Sequence, residues 1–383
     1  MRKERFLISV LKLTVFFLFG TGAEWVSAQE IRVESPVRGV PDLFPQDTLT
    51  VCFMGDMMMH GPQIANAHRG GQKYDFSSYF RLIKEKISEA DIAVANMEFT
   101  LAGEPYSGYP CFSAPDSYAE YLADCGFDIF LAANNHILDK GSEGAARTLE
   151  IYRRLEQEKG ILITGIAEDE QVRTSNYPLL VRRKGIQLAF MNFTYGTNLG
   201  ATDHWPKTNY LGKTSEIIQA SEKAKEADFT ISLPHWGPEY QTVHSESQEK
   251  TARLLIENGT DLIVGTHPHV VQDTTSIEGV PVIYSVGNAV SNMSAPDTQL
   301  ELMVTVRFIR HGNGDLEMEQ PELTWLWCSR PGGYCNSYTV IPIEEYMGTR
   351  EMWQGPWEYD KMVSTYERIR KNKLYNEQTI NQA

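Results

Sequence analysis

Short apolar runs along this chain stop repeatedly at polar residues, and segments with helical spacing separate them. Thr48–Met54 reads as a buried strand ending at Gly55-Asp56, and Ile92–Ala95 as a second ending at Asn96-Met97-Glu98. Between them, Phe80, Ile83 and Ile87 share one face of a predicted helix over Ser77–Glu89. Pro115–Cys125 is predicted helical and stops at Gly126. Phe127–Ala132 is a strand ending at Asn134-Asn135-His136. Ser142–Lys159 forms a long helix with Gly160 as its C-cap, and Ile161–Thr164 the next strand.

Tyr177–Phe193 departs from this alternation. Two strands meet at Arg183-Lys184-Gly185, a hairpin signal. The alternation then returns: helix Ser215–Ala227, strand Phe229–Leu233 ending at His235-Trp236-Gly237, and helix Ser247–Asn258 capped by Gly259. Strand Leu262–Val264 ends at Gly265-Thr266-His267-Pro268-His269, and strand Val282–Val286 at Gly287-Asn288. A hairpin over Leu300–Glu322 turns at Gly312-Asn313-Gly314, and Pro356–Lys373 is a C-terminal helix. Alternation followed by hairpins predicts an α/β sandwich of mixed sheets with flanking helices. No internal repeat is present, and 48–330 reads as one domain followed by a C-terminal extension over 331–383.

The N-terminus carries a different signal. Arg2, Lys3, Arg5 and Lys12 precede the apolar run Leu13–Phe19, and Val26-Ser27-Ala28 supplies small residues for cleavage. Residues 1–28 thus read as a secretory signal peptide cut near Ala28, and 29–47 as a Pro-rich, polar arm. The apolar run is short of the roughly 20 residues that span a bilayer, so no transmembrane anchor is expected in the mature chain. Export places the protein in the periplasm or outside the cell.

Composition narrows the partners. The 383 residues carry a net charge of −15, which removal of the leader's four Lys/Arg and two Glu makes −17. Nucleic acid is excluded as the main partner, because its phosphates are held by surplus Lys and Arg. Hydrophobic residues at 42% support a sizeable core, and five cysteines exclude a disulfide-dense scaffold. Cys328 and Cys335 flank an Arg-Pro-Gly-Gly-Tyr loop and are a candidate disulfide in an oxidising compartment.

The chemistry lies in where the strands end. Asp56, Glu98, Asn135/His136, His235, His267/His269 and Asn288 each follow a buried strand. Each alone has an ordinary reading as a turn residue or a satisfied histidine. Together they predict a convergent site, because open α/β sheets build sites at the carboxyl ends of their strands. Carboxylates, imidazoles and an amide form a mixed N/O donor set suited to Mn, Zn or Fe. Asp139 is a candidate partner for His136. Asn96, Asn134, Trp236, Glu239 and Asn288 are candidate substrate contacts. His60 and His68 are expected to face solvent, and Arg147, Arg153 and Arg154 are candidate cations for an anionic substrate.

These motifs, in this order over roughly 48–292, resemble the bacterial capsule-synthesis CapA family of poly-γ-glutamate synthesis proteins, which is similar in fold to the calcineurin-like metallophosphoesterases. The resemblance rests on Gly55-Asp56-Met57-Met58, Asn96-Met97-Glu98, Asn134–Gly141, His235–Glu239, Gly265–His269 and Gly287-Asn288. It implies one metal held by Glu98, Asn135, His235 and His267, a second by Asp56, Glu98 and His269, and His136 as general acid. Met58 stands where the phosphoesterase pattern has a histidine, and a thioether is a soft, weak ligand, so one ion or two stay open. The implied activity is a metal-dependent hydrolase acting on an anionic polymer, a γ-glutamyl or cell-wall peptide, or a phosphoester. A non-catalytic polymer-binding accessory of a membrane synthase complex and a metal-site peptide epimerase are the alternatives.

Overall fold

The computed structural model describes residues 47–380, with side chains through Lys371. The segments read as signal peptide (1–28) and, apart from Asp47, as arm (29–47) lie outside the described residues. In chain order the elements begin with β1 (Asp47–Met57), α1 (Gly61–Ala67), α2 (Lys84–Glu89), β2 (Ile92–Met97), α3 (Asp116–Asp124), β3 (Ile129–Leu131), α4 (Gly141–Lys159) and β4 (Leu162–Thr164). A short pair and a helix follow, β5 (Ile166–Ala167), α5 (Glu170–Asn176), then β6 (Leu179–Arg183), β7 (Ile186–Thr194) and β8 (Lys207–Thr208). Next come α6 (Thr214–Ala224), β9 (Phe229–His235), α7 (Glu246–Glu257), β10 (Leu262–Val264), β11 (Thr274–Ile277) and β12 (Val280–Ile283). The chain closes with β13 (Leu300–Arg310), β14 (Leu316–Met318), β15 (Glu322–Ser329), β16 (Thr339–Pro342), α8 (Ile343–Tyr346) and α9 (Pro356–Ile380).

Two mixed sheets result. The first runs β16-β15-β13-β1-β2-β3-β4, with β14 on β13, and the second runs β11-β12-β10-β9-β7-β6. β1 through β4 are mutually parallel, while β13 meets β1 antiparallel. In the second sheet β7, β9, β10 and β12 are parallel, with antiparallel edges β6 and β11.

Strand alternation explains the layering. Val51, Phe53, Val94 and Ile129 of the first sheet pack on Leu188, Phe190, Ile231 and Leu233 of the second, forming the central core. The intervening Cys52, Met54, Ala93 and Ala95 face outward, onto Tyr118, Leu122, Tyr152 and Leu155 of α3 and α4. On the far side, Ala189 and Met191 pack on Ile217 and Ala220 of α6 and on Ala252 and Leu255 of α7. The order helix, sheet, sheet, helix is the α/β sandwich the sequence predicts. Each large side chain so buried contributes about 1.5–3 kcal/mol.

Local signals place the elements. Gly160 adopts φ 75 and closes α4. Lys184 (φ 48) and Gly185 (φ 75) make the tight turn between β6 and β7. Ser245 accepts from the Gln248 amide, and Gln248 reciprocates as a capping box at the start of α7.

Three expectations differ. The helix over Ser77–Glu89 forms only from Lys84, because Phe76, Tyr79 and Phe80 bury into an aromatic cluster with Tyr118 and Tyr121. Cys328 and Cys335 are both free: Cys328 donates to Ser291 O at 3.7 Å, while Cys335 lies against Ser337 O and Thr339 Oγ1. The segment after residue 330 supplies β16 to the first sheet, and Tyr359, Met362, Tyr366 and Ile369 of α9 join the central core. Among the described residues, no helix is long and apolar enough to cross a membrane.

Candidate metal centre

A tight crossing at Gly55 starts the site. A Cβ there would lie 1.9 Å from Gly287 O, so only glycine lets the 287–290 segment run against β1. Asp56 N–H donates to Gly287 O at 3.1 Å, and Ala289 N–H donates to Asp56 O at 3.1 Å. Gly265 does the same for the second sheet, where a Cβ would meet Tyr284 O at 2.2 Å.

The carboxyl ends of both sheets then meet. Asp56, Glu98, Asn135, His136, His235, His267 and His269 are all buried. Glu98 Oε1 lies 3.9 Å from His235 Nε2, 3.8 Å from His269 Nε2 and 3.8 Å from His136 Nε2. These gaps are too long for hydrogen bonds. Asp56 Oδ2 stands 3.3 Å from His269 Nδ1. Donor atoms of Glu98, His235 and His267 fall within 4.8 Å of one another, as do those of Asp56, Glu98 and His269. These two triads share Glu98, as in the two ligand sets the resemblance implies. A third triad joins the exposed Glu239 to His267 and His269.

The donor set fits a divalent cation. Neither Glu98 oxygen, nor His267 Nδ1, has a hydrogen-bond partner among the described residues, although all three are fully shielded from solvent. A buried carboxylate without a donor is costly, and buried charges are paired or coordinate metals. No Lys or Arg reaches Glu98 among the described residues. Ligands about 2.1 Å from one ion stand roughly 3–4 Å apart, which matches the spacing around Glu98 Oε1.

The electrostatics agree. Burial, then the charge of Asp56, holds the Glu98 carboxyl well above its ordinary range. Burial, then the neighbouring imidazoles, holds His235 and His267 well below theirs, so both are neutral ligand forms. Burial pulls His269 down, but its bond to Asp56 and the Asp56 charge outweigh this and leave it raised.

Backbone strain concentrates here. His267 (φ 98), His269 (φ 59) and Tyr240 (φ 63) are non-glycine residues at positive φ. Each costs of order 1–3 kcal/mol and persists only where the surroundings enforce it.

The remaining residues divide by role. His136 Nδ1 lies 2.6 Å from Asp139 Oδ2, which also accepts from Phe112 N–H at 2.8 Å. His235 Nε2 meets Asn135 Oδ1 at 2.8 Å and its Nδ1 meets Thr266 Oγ1 at 2.9 Å. Asn288 Oδ1 meets His269 Nδ1 at 2.9 Å, so Asn288 orients a candidate ligand. Asn96 donates to Asp56 Oδ1 at 2.7 Å, and Asn134 donates to Met97 O at 2.8 Å. Asn96, Asn134 and Asn288 are all buried frame residues, not open contacts. Trp236 is not brought to the site, because its indole donates to Tyr284 O at 2.8 Å and packs in the outer core. Met58 lies in the core cluster under α1 to α4.

Arg147, Arg153 and Arg154 are taken by Asp116, by Glu156 and Glu168, and by Glu120. They form surface ion pairs and supply no cation here. His60 is half-buried rather than solvent-facing, set edge-on to Phe112. Sequence reasoning missed Asn198, whose amide lies 3.2 Å from His136 Nδ1, and Glu301, whose Oε1 accepts from Gly55 N–H at 2.9 Å. Neither follows a strand end, so no positional signal marked them. Tyr195, one residue beyond β7, is half-exposed, and its ring lies 4.5 Å from that of His267 at an interplanar angle of 39°.

This combination defines an α/β sandwich protein with a candidate divalent-metal centre at the carboxyl ends of both sheets. The chain belongs to the bacterial capsule synthesis protein PGA_cap family, whose sequence model matches residues 50–293. It is 26% identical over 332 residues to the capsule biosynthesis protein CapA of Bacillus anthracis, covering 83% of this chain and 76% of that protein. It is 25% identical over 286 residues to the PGA biosynthesis protein CapA of Bacillus subtilis (strain 168), covering 72% of each. Among solved structures it is similar to the NAD nucleotidase of Haemophilus influenzae (14% identity, TM-score 0.41, 84% of this chain and 62% of that one). The 5'-nucleotidase precursor of Thermus thermophilus is another (12%, TM-score 0.43, 84% and 58%). The chain thus spans less than two thirds of either structure.

Proposed function

We propose that this capsule-family protein is an exported, divalent-metal-dependent hydrolase that cleaves an anionic polymer, a γ-glutamyl or cell-wall peptide, or a phosphoester. The observation that carries the reading is Glu98: a fully buried carboxylate with no hydrogen-bond donor, ringed by imidazole nitrogens at 3.8–3.9 Å. Glu98, His235, His267 and Asn135 would hold one ion and Asp56, Glu98 and His269 a second, with Mn, Zn or Fe matching the donors. A bound divalent cation supplies Lewis-acid polarisation of the scissile group.

His136 moves the proton. With Nδ1–H held by Asp139 at 2.6 Å, its Nε2 lies at the edge of the cluster, 3.8 Å from Glu98 Oε1. There it gives a proton to the leaving group, a role that contributes about 10²–10⁴-fold. Asp139 fixes the tautomer and ring plane. The reading of residues 1–28 as a signal peptide supports action outside the cytoplasm.

The test is a screen of phosphoester and γ-glutamyl substrates with the wild type, His136→Ala and Asp139→Asn. Turnover abolished by chelator, reduced about 10²-fold or more in His136→Ala and less in Asp139→Asn, with unchanged folding, is expected. Equal turnover in wild type and His136→Ala overturns the assignment. Polymer binding without turnover in any form favours the accessory role.

A further inference from the structure

Two carboxylates, one buried and one exposed, reach both of the candidate ligand sets. Glu98 belongs to the triad with His235 and His267 and to the triad with Asp56 and His269. Glu239 forms the third triad with His267 and His269, and so stands beside one imidazole of each set. Glu98 is fully buried, whereas Glu239 is open to solvent.

The backbone that carries Glu239 is held against those imidazoles. The segment 236–244, between β9 and α7, is strapped along 266–273, which bears His267 and His269. Trp236 N–H donates to Thr266 O at 3.0 Å, and Tyr240 N–H donates to Pro268 O, between the two histidines, at 2.9 Å. Gln272 Nε2 donates to Gln241 O at 3.0 Å. His244 N–H donates to Asp273 Oδ1 at 2.8 Å, and its Nδ1 lies 2.7 Å from the other oxygen of that carboxylate. The turn itself has little freedom. Gly237 adopts φ 90, and a Cβ there would lie 2.5 Å from Cδ of buried Gln248. Pro238 fixes the next φ. Tyr240 sits at φ 63, a conformation that persists in a non-glycine residue only where the surroundings enforce it. Bonds on both sides of Glu239 therefore fix where its exposed side chain starts.

The two ligand sets are unequal. Glu98, His235 and His267 are joined by Asn135 in the first. The second has only Asp56, Glu98 and His269, because Met58, two residues after Asp56, is buried in the core cluster and its thioether is a poor donor to a hard cation. Glu239 offers an oxygen within 4.8 Å of a His269 nitrogen. Ligands about 2.1 Å from one ion stand roughly 3–4 Å apart, so rotation about the torsions of an exposed glutamate closes the remaining gap.

We propose that Glu239 is a ligand of the ion held by Asp56, Glu98 and His269, supplying the donor that Met58 does not. This deepens the hydrolase reading and rests on its metal centre. Three carboxylates and one imidazole make the second set rich in oxygen, whereas the first holds two imidazoles and an amide. Oxygen donors suit Mn, and imidazoles suit Zn and Fe, so the second set is the one that favours Mn.

The experiment is titration of the chelator-treated full chain with Mn²⁺, free Mn²⁺ being measured by its electron paramagnetic resonance signal, for wild type, Glu239→Gln and Glu246→Gln. Glu246 is exposed at the start of α7 and pairs with Lys250 at 2.7 Å, so its variant controls for the loss of one surface charge. Wild type is expected to bind two equivalents. Loss of an outer-shell partner already costs about 10–100-fold in metal affinity. Glu239→Gln is therefore expected to weaken one equivalent about tenfold or more and to leave the other unchanged, with Glu246→Gln matching wild type. Fewer than two equivalents in wild type, no change in Glu239→Gln, equal weakening of both equivalents, or the same loss in Glu246→Gln overturns the proposal. Glu239 is exposed, so the metal-free melting temperature of Glu239→Gln should match wild type. Should that variant not fold, Glu239→Ala is read in the same way. One retained equivalent that supports turnover leaves the hydrolase reading standing while this proposal fails, whereas wild type that binds no metal ends both.

Discussion

Replacing Glu98 with Gln should make the metal-free protein more stable, the opposite of what removing a structural carboxylate does. Glu98 is fully buried with no donor to either oxygen among the described residues, and burial, then Asp56, keeps its carboxyl neutral well above the usual range. The unfolded chain ionises this group near pH 4.3, so each pH unit above that costs the folded state about 1.36 kcal/mol. The total penalty grows with how far burial and the Asp56 charge hold the folded carboxyl above that value. Gln keeps the shape and has no ionised form, and its amide must still find partners, so we expect a net gain of about 1–3 kcal/mol. With roughly 2.1 cal/mol/K of unfolding entropy per residue over about 330 residues, that is a rise of about 1–4 °C. The sign follows from linkage: the folded state holds a proton the unfolded state has released, so wild-type stability falls as pH rises above 4.3. The advantage of Glu98→Gln should therefore vanish near pH 4.3 and grow toward pH 7. Scanning calorimetry of chelator-treated proteins across that range measures it. Adding Mn or Zn at about 1,000 times its dissociation constant should then stabilise wild type by about 4.1 kcal/mol and the variant far less, reversing the order. A metal-free variant less stable than wild type at every pH, or an equal response of both to metal, refutes the reasoning.

Two further predictions concern the frame. Gly55→Ala drives a Cβ to within 1.9 Å of Gly287 O, so it should cost about 3 kcal/mol or more, seen as a melting temperature lower by about 4 °C. Gly61→Ala, with nothing within 4 Å of the added carbon, should stay within about 0.5 kcal/mol of wild type and serves as its control. His60→Gln should flatten the acid limb of stability. His60 titrates at about 4 in the folded chain and near 6.5 when unfolded, so the unfolded state gains a proton as pH falls from 6.5 to 4 and wild type loses stability over that window. Parallel melting-temperature curves for His60→Gln and wild type over that range would show the burial argument to be wrong.

Much of the site was legible because its donors follow strands. Strand ends are set by local apolar runs, and parallel strands align those ends on one rim. Asp56, Glu98, His235, His267 and His269 were found this way, and the structure brings them within ligand distance of one another. Position after a strand does not tell which way a side chain turns. Trp236 shares its segment with His235 yet turns into the outer core, where a bond to Tyr284 O satisfies its indole. Asn198 and Glu301 were invisible because they reach the site from a loop and from the start of β13, through contacts across 62 and 246 residues. The shortened helix before β2 has a tertiary cause as well: Tyr121 O–H accepts the Phe80 N–H at 3.0 Å and competes with helical bonding.

The most direct test of the account is the metal content of the purified full-length protein, measured by elemental analysis beside His267→Ala. His267 Nδ1 is shielded and unbonded among the described residues, so its loss removes a ligand without breaking a protein hydrogen bond there. The account predicts one or two equivalents of Mn, Zn or Fe in wild type and a clear loss in His267→Ala, with folding retained by circular dichroism. Wild type that takes up none of these metals, even on reconstitution, or a variant that keeps the full complement, would contradict it.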